Sequence, residues 1–242
     1  MFLSSCELNP VRRGARKLLG SPQAMHAAIL SCFPPSQSEG RGRVLWRLDQ
    51  TGSSTVIFMV SNTCPDFTSL TEQAGWPHAK GWRSMPYEQV LDSLKTGDLY
   101  SFRLTANPTH AVRTEGGGSS KRLGHITAAQ QEEWLLGRAG KHGFSIPTVG
   151  VSATSHGESD PASSHDHAFQ VVGRSTLSFR RNHGGKAGTV TLSQATYSGA
   201  LIVTDVASLR DSLINGIGPA KAYGCGLLTL AKPPSGSFRV TP

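Results

Sequence analysis

Histidine is the side chain best suited to moving protons near neutral pH, and this chain has nine of them. His26 falls at the edge of an apolar helical face, where it can take a proton from a hydroxyl or return one to a leaving oxygen. By position alone, a histidine there more often has a structural or merely exposed role. A second group, His156, His165 and His167 with Asp160 and Asp166, sits in the polar run SHGESDPASSHDH. A fixed metal site needs support behind its ligands that such a run rarely supplies, so a surface loop is expected there. The third feature is the segment GIGPAKAYGCG at residues 216–226. Its four glycines and two alanines let backbone N–H groups approach a ligand closely, and Lys221 adds a charge that suits phosphate. The spacing is neither that of a Walker loop nor that of a dinucleotide fingerprint. A turn that only joins the last helix to the last strand is the alternative reading.

Cations recur in clusters. Arg12, Arg13, Arg16 and Lys17 are dense enough to hold phosphates. Arg180 and Arg181 fall on or at the end of a strand, where they could track a nucleic-acid backbone. Arg113, Lys121 and Arg122 sit in a glycine-containing loop that could order on RNA. For each cluster a solvated basic face is the competing expectation. The net charge of +8, from 24 basic and 16 acidic residues, favours a polyanionic partner. Cys6, Cys32, Cys64 and Cys225 are scattered without a C-x-x-C pair, which argues against a zinc knuckle or a disulfide framework. A reducing cytoplasm is the natural compartment. No apolar run reaches the roughly 20 residues of a membrane span, and the N-terminus does not read as a signal peptide.

The elements that must position these residues follow from periodicity and breakers. Residues 2–8 read as a strand ended by Asn9-Pro10. Residues 12–19 read as a basic helical turn. Ser21-Pro22 is an N-cap with proline at the first helical position, opening a helix that carries Met25, Ile29 and Cys32 inward. Residues 43–49 and 55–60 read as strands, and residues 86–95 as a second helix ended by Gly97. In the second half, residues 99–104 read as a strand, and Thr127 with Gln130 forms a capping box for a helix through Trp134. A short strand is expected at Phe144. Residues 176–181 and 189–203 form a hairpin, residues 207–215 a helix and residues 227–231 a last strand. Trp46, Trp76, Trp82 and Trp134 read as core rather than stacking platforms, with Trp76 and Trp82 open. Each half thus takes a β-α-β-β-α-β order. The expected class is α+β, two tandem ferredoxin-like (RRM-like) domains spanning residues 1–96 and 97–242. In each, two helices cover one sheet face and leave the other open for RNA.

The string GIGPAKAYGCGLLTLAKP strongly resembles the C-terminal signature of the CasE family, the CRISPR repeat endoribonucleases of type I-E systems. Leu8-Asn9-Pro10 with Arg12, Arg13 and Arg16, then Met25-His26, residues 43–48, and FRLTANP at residues 102–108 resemble other pieces of that family in the same order. The resemblance implies cleavage of precursor CRISPR RNA within each repeat, with no metal or cofactor. It implies retention of the product hairpin and assembly with other Cascade subunits. The free protein is expected to be a monomer without membrane contact. A hairpin-holding subunit with little activity of its own is the alternative, and a generic ferredoxin-like RNA binder is a third. By resemblance His26 is the catalytic position. The 2′-hydroxyl next to the scissile phosphate attacks, leaving a 2′,3′-cyclic phosphate. RNA contacts are assigned to Arg12, Arg13, Arg16, Gln23, Arg113, Lys121, Arg122, Arg180 and Arg181, and to Gly216, Gly218, Lys221, Gly224 and Gly226. Some members carry tyrosine three residues before the histidine. Here that residue is Gln23, which can hydrogen-bond a phosphate but cannot act as acid or base.

Overall fold

The computed structural model describes residues 1–34, 43–77, 81–112, 121–148, 167–183 and 186–233. The first half is built from β1 (Phe2–Leu8), α1 (Arg13–Leu19), α2 (Pro22–Leu30), β2 (Leu45–Thr51), β3 (Ser54–Ser61), α3 (Thr68–Ala74), β4 (Trp82–Pro86) and α4 (Glu88–Asp92). Its sheet order is β2-β3-β1-β4, with every neighbouring pair antiparallel. Alternation explains the strands. Along β1, Ser4, Cys6 and Leu8 point to one face and are buried, while Glu7 on the other is exposed. That buried face, with Trp46, Ile57 and Met59, meets α1, α2 and α3 through Leu18, Met25, Ile29 and Leu70. The start of α2 is set as its sequence implies: the Ser21 hydroxyl accepts from the Ala24 N–H, and Pro22 opens the helix.

The second half contains β5 (Leu99–Ala106), β6 (Thr109–Val112), β7 (Lys121–Gly124), α5 (Ala128–Ala139), β8 (Phe144–Ser145), β9 (Phe169–His183), β10 (Lys186–Val203), α6 (Val206–Asn215) and β11 (Leu228–Ala231). Its sheet order is β11-β5-β10-β8, and β9 also pairs with β10. Strand β10 pairs with β5 only from Ala195 to Ile202, whereas its pairing with β9 begins at Lys186. The β9–β10 hairpin is therefore an arm reaching beyond the sheet. Thr127 caps α5, and both bonds of the capping box with Gln130 are present.

The two antiparallel sheets with their helices bear out the α+β, tandem ferredoxin-like expectation, but several elements depart from the sequence reading. The helix expected over residues 86–95 is only the short α4. The second helix of the first sheet is α3, and the strand that completes that sheet is β4. Strand β4 escaped notice because it is an edge strand ending in proline and most of its side chains are exposed, so it carries little alternation. Trp82 lies on it, with its ring 5.8 Å from that of Phe67. Lys121 and Arg122 are in strand β7, paired with β6, rather than in a loop. Arg113, His156, His165, Asp160 and Asp166 lie outside the described residues, and His167 forms a bridge with Thr148.

A larger correction concerns the sheet face expected to stay open in the first half. Leu45, Arg47 and Asp49 on β2 share that face with Phe58 and Val60 on β3. Leu45 and Val60 join the apolar cluster of the second half, beside Phe102, Leu227 and Leu228. Arg47, 1% exposed, forks onto Asp49 at 2.7 and 2.9 Å. Its remaining nitrogen donates to the carbonyls of Arg103 at 2.7 Å and Leu227 at 3.1 Å. The first sheet thus uses its second face to seat the other half. No helix among the described residues is long and apolar enough to cross a membrane.

Candidate active site

Residues 216–226 form a tightly folded connection between α6 and β11. Gly216, Gly218, Gly224 and Gly226 all have φ between 74° and 93°, and Ala220 joins them at 65°. These glycines provide space as well as backbone freedom. A Cβ on Gly224 would stand 2.9 Å from the Trp46 ring, and one on Gly216 2.9 Å from a Leu45 methyl. Both neighbours belong to β2 of the first half. The segment closes on itself through the Ile217 N–H to the Gly226 carbonyl (2.9 Å) and is tied to β5 through the Gly226 N–H to the Thr105 carbonyl (2.7 Å). The glycines therefore press a 3-10 turn, Lys221–Tyr223, against the first half. Replacing Gly224 with alanine is expected to cost about 2–4 kcal/mol, from the left-handed backbone and overpacking against Trp46 together. Urea unfolding would measure it. Gly137 of α5 is the control: an added methyl would meet nothing within 4 Å, and alanine there should stabilise by about 0.5–1 kcal/mol.

That turn brings His26 and the glycine segment together. Tyr223 places its ring 6.4 Å, centroid to centroid, from the His26 imidazole. Met25 and Ile29 on the buried face of α2 hold the helix, leaving His26 half-buried at its edge. Burial lowers the His26 pKa from its usual 6.5. Its Nδ1 is shielded from solvent and has no hydrogen-bond partner among the described residues. The imidazole is thus biased toward its neutral, proton-accepting form.

Gln23, one turn earlier, is engaged: its side-chain amide donates to the Arg180 carbonyl at 2.7 Å, tying α2 to the β9–β10 arm. The same arm reaches the glycine segment, because Phe179 meets Tyr223 edge-on at 4.8 Å. Between the arm, the α1–α2 turn and β2 lies a cleft of about 330 Å³. Asp49, Arg103, Arg174, Gln194 and Tyr223 line it. Arg103 Nε is 3.7 Å from an Asp49 carboxylate oxygen.

The predicted cations divide. Arg12 donates to the carbonyls of Gly75 at 3.0 Å and Thr71 at 3.4 Å, closing the end of α3. Arg13, Arg16 and Lys17 on α1 are exposed, as are Arg180 and Arg122. Arg181 and Lys121 are placed only as strand positions. Lys221 is half-buried, and burial, then Arg43, lower its pKa while Asp211 opposes them. Gly218 lies at the other end of the segment, in a separate cleft of about 710 Å³ with Arg122, Arg138, His110 and His125. The two imidazoles there are 4.7 Å apart.

Sequence reading overlooked Tyr223, although it is the sole aromatic residue inside the glycine segment. It also overlooked Arg47, which falls in the charged phase of RVLWRLD with Arg43 and Asp49 and so gave no sign of burial. No group of three or more potential metal ligands occurs among the described residues.

A half-buried histidine held against a glycine-rich turn, within one chain of two ferredoxin-like units, defines the class. Residues 1–232 match the family model described as CRISPR associated protein, and the chain belongs to that family. It is 32% identical over 235 residues to the CRISPR-associated endoribonuclease Cse3 of Thermus thermophilus, spanning 96% of this chain and 100% of that protein. It is also 32% identical over 151 residues to the CRISPR system Cascade subunit CasE of Escherichia coli K12, spanning 60% of this chain and 63% of that one. The structure of Thermus thermophilus Cse3 bound to an RNA representing a pre-cleavage complex superimposes with a TM-score of 0.69 at 29% identity. That match covers 95% of this chain and 98% of the other. Cas6e from Escherichia coli, at 22% identity and a TM-score of 0.54 over 96% and 100% of the two chains, shares the fold.

Proposed function

We propose that this chain is an endoribonuclease that cleaves precursor CRISPR RNA within each repeat, without a metal, and then holds the product hairpin as a Cascade subunit. The observation that carries the reading is the seating of half-buried His26 against the glycine-rich turn of the other half. The nucleophile is the 2′-hydroxyl beside the scissile phosphate. Its attack breaks the bond to the 5′-oxygen and leaves a 2′,3′-cyclic phosphate. His26 takes the 2′-hydroxyl proton, the role that its lowered pKa favours. Arg13, Arg16 and Lys17 on α1 and Arg180 on the arm are exposed where they can meet the RNA backbone, and Arg113, Lys121, Arg122 and Arg181 are further cations for RNA contact. The Gly216, Gly218, Lys221, Gly224 and Gly226 backbone sets the turn that faces the RNA. Residues 1–96 and 97–242 act as the two domains, and the protein works as a cytoplasmic monomer until it joins its partners.

The test is single-turnover cleavage, in EDTA, of repeat RNA transcribed from the CRISPR array of the same genome. Cleavage is expected to proceed. Its rate should rise with pH through a pKa below 6.5 and level off by neutrality, because protonated His26 cannot accept a proton. Cleavage that needs added metal would overturn the reading. Gln23 supports one alternative, a hairpin-holding subunit of low activity, since its amide is already committed to Arg180. That alternative predicts tight binding of intact repeat RNA with no cut.

A further inference from the structure

Breaking the bond to the 5′-oxygen needs a proton donor as well as a base. The position one helical turn before His26 cannot supply one, because Gln23 has no acidic proton and its amide is spent on the Arg180 carbonyl. Tyr223 stands beside His26 instead, with ring centroids 6.4 Å apart and planes inclined by 58°. A hydrogen bond spans about 2.7–3.0 Å, so two groups that bracket the attacking and leaving oxygens of one phosphate stand about 6–9 Å apart. The ring centroids, 6.4 Å apart, place the imidazole and the phenol on that scale.

The tyrosine is also held firmly. Its ring edge packs on Phe179 at 4.8 Å, its N–H donates to the Ala220 carbonyl at 2.9 Å, and its carbonyl accepts from Gln194 at 3.0 Å. The turn that carries it begins at Ala220, whose φ of 65° is costly for a residue with a Cβ. The Tyr223 hydroxyl has no hydrogen-bond partner among the described residues. The Tyr197 hydroxyl, by contrast, is spent on the Gln131 carbonyl at 2.8 Å. Tyr223 is partly exposed and also lines the cleft between the arm and the first half.

We propose that Tyr223 is the second catalytic residue of this site, its hydroxyl protonating the 5′-oxygen as the phosphorus–oxygen bond breaks. The inference rests on the cleavage reading above. The balance is closed: His26 gains the 2′-hydroxyl proton, Tyr223 loses its own to the 5′-oxygen, and the products are a 2′,3′-cyclic phosphate and a 5′-hydroxyl. Exchange with water then returns the imidazolium and the phenolate to their starting forms.

The test compares wild type, Tyr223→Phe and His26→Ala on two repeat RNAs, one natural and one with sulfur replacing the 5′-oxygen at the cut. A thiolate leaves without protonation. Tyr223→Phe keeps the ring contacts and should slow cleavage of the natural RNA by about 100-fold or more. On the sulfur substrate it should match wild type, whereas His26→Ala should stay slow on both. A Tyr223→Phe variant as fast as wild type on natural RNA, or equally slow on both substrates, overturns the assignment while leaving the enzyme reading intact. A wild type that cuts neither substrate overturns the enzyme reading itself, and Tyr223 with it.

Discussion

His26→Ala is expected to lower the single-turnover rate of repeat cleavage by about 10²–10⁴-fold, the range over which a positioned acid or base contributes. Affinity for the uncut repeat should stay within a few-fold of wild type, because the exposed cations of α1 and the arm are untouched. The size of the effect follows from the surroundings of the ring. The imidazole is half-buried, its pKa is pushed down by burial, and the Tyr223 ring stands 6.4 Å from it. Water entering the space left by alanine is a poor base held in no particular geometry, so both proton removal and alignment are lost together. Rates from gel analysis and affinities from filter binding would be read side by side. Unchanged cleavage with binding intact would exclude His26 from the chemistry.

Replacing Arg47 with methionine should destabilise the protein by about 3–5 kcal/mol, the cost of breaking a buried pair by removing one partner. Three acceptors lose their donor at once: the Asp49 carboxylate and the carbonyls of Arg103 and Leu227. Asp49, only 12% exposed, keeps just the 3.7 Å approach of Arg103. Because Arg47 reaches from the first sheet to β5 and to the residue preceding β11, the loss should also loosen one half against the other. The glycine turn, seated on the neighbouring Leu45 and Trp46, would shift with it. Urea unfolding gives the stability change. The double variant Arg47→Met with Asp49→Leu should recover part of it, since no unpaired charge then remains. A single variant within about 1 kcal/mol of wild type would mean that Arg47 is replaceable where it stands.

Sequence reading succeeded where a local rule was strong. Ser21-Pro22 defined the start of α2, and Thr127 with Gln130 that of α5, because a cap satisfies N–H groups within a few residues of itself. The β9–β10 hairpin was legible from two strand-like stretches, residues 176–181 and 189–203, around the Asn182-His-Gly-Gly turn signal, although pairing carries both strands further. Strand β4 and helix α3 were not legible. One is an exposed edge strand and the other a single short helix stopped by Gly75, so neither leaves a long periodic stretch. For the site, His26 and the glycine segment were singled out, but as separate features about 190 residues apart in the chain.

What the sequence determined by itself was the inventory: the helix that carries His26, the ferredoxin-like order of the second half, the basic balance, and a segment rich in glycine and alanine. Tertiary structure decided which of these meet. It turned the glycines into a close contact with Trp46 and Leu45, closed the sheet face expected to bind RNA, and spent Gln23 and Arg12 on backbone carbonyls. It also stood Tyr223 next to His26. The reason is physical. Caps, turns and amphipathic periods are satisfied by near neighbours, whereas burial of Arg47, the approach of one ring to another and the lowering of a pKa depend on surfaces that come together only after both halves have folded.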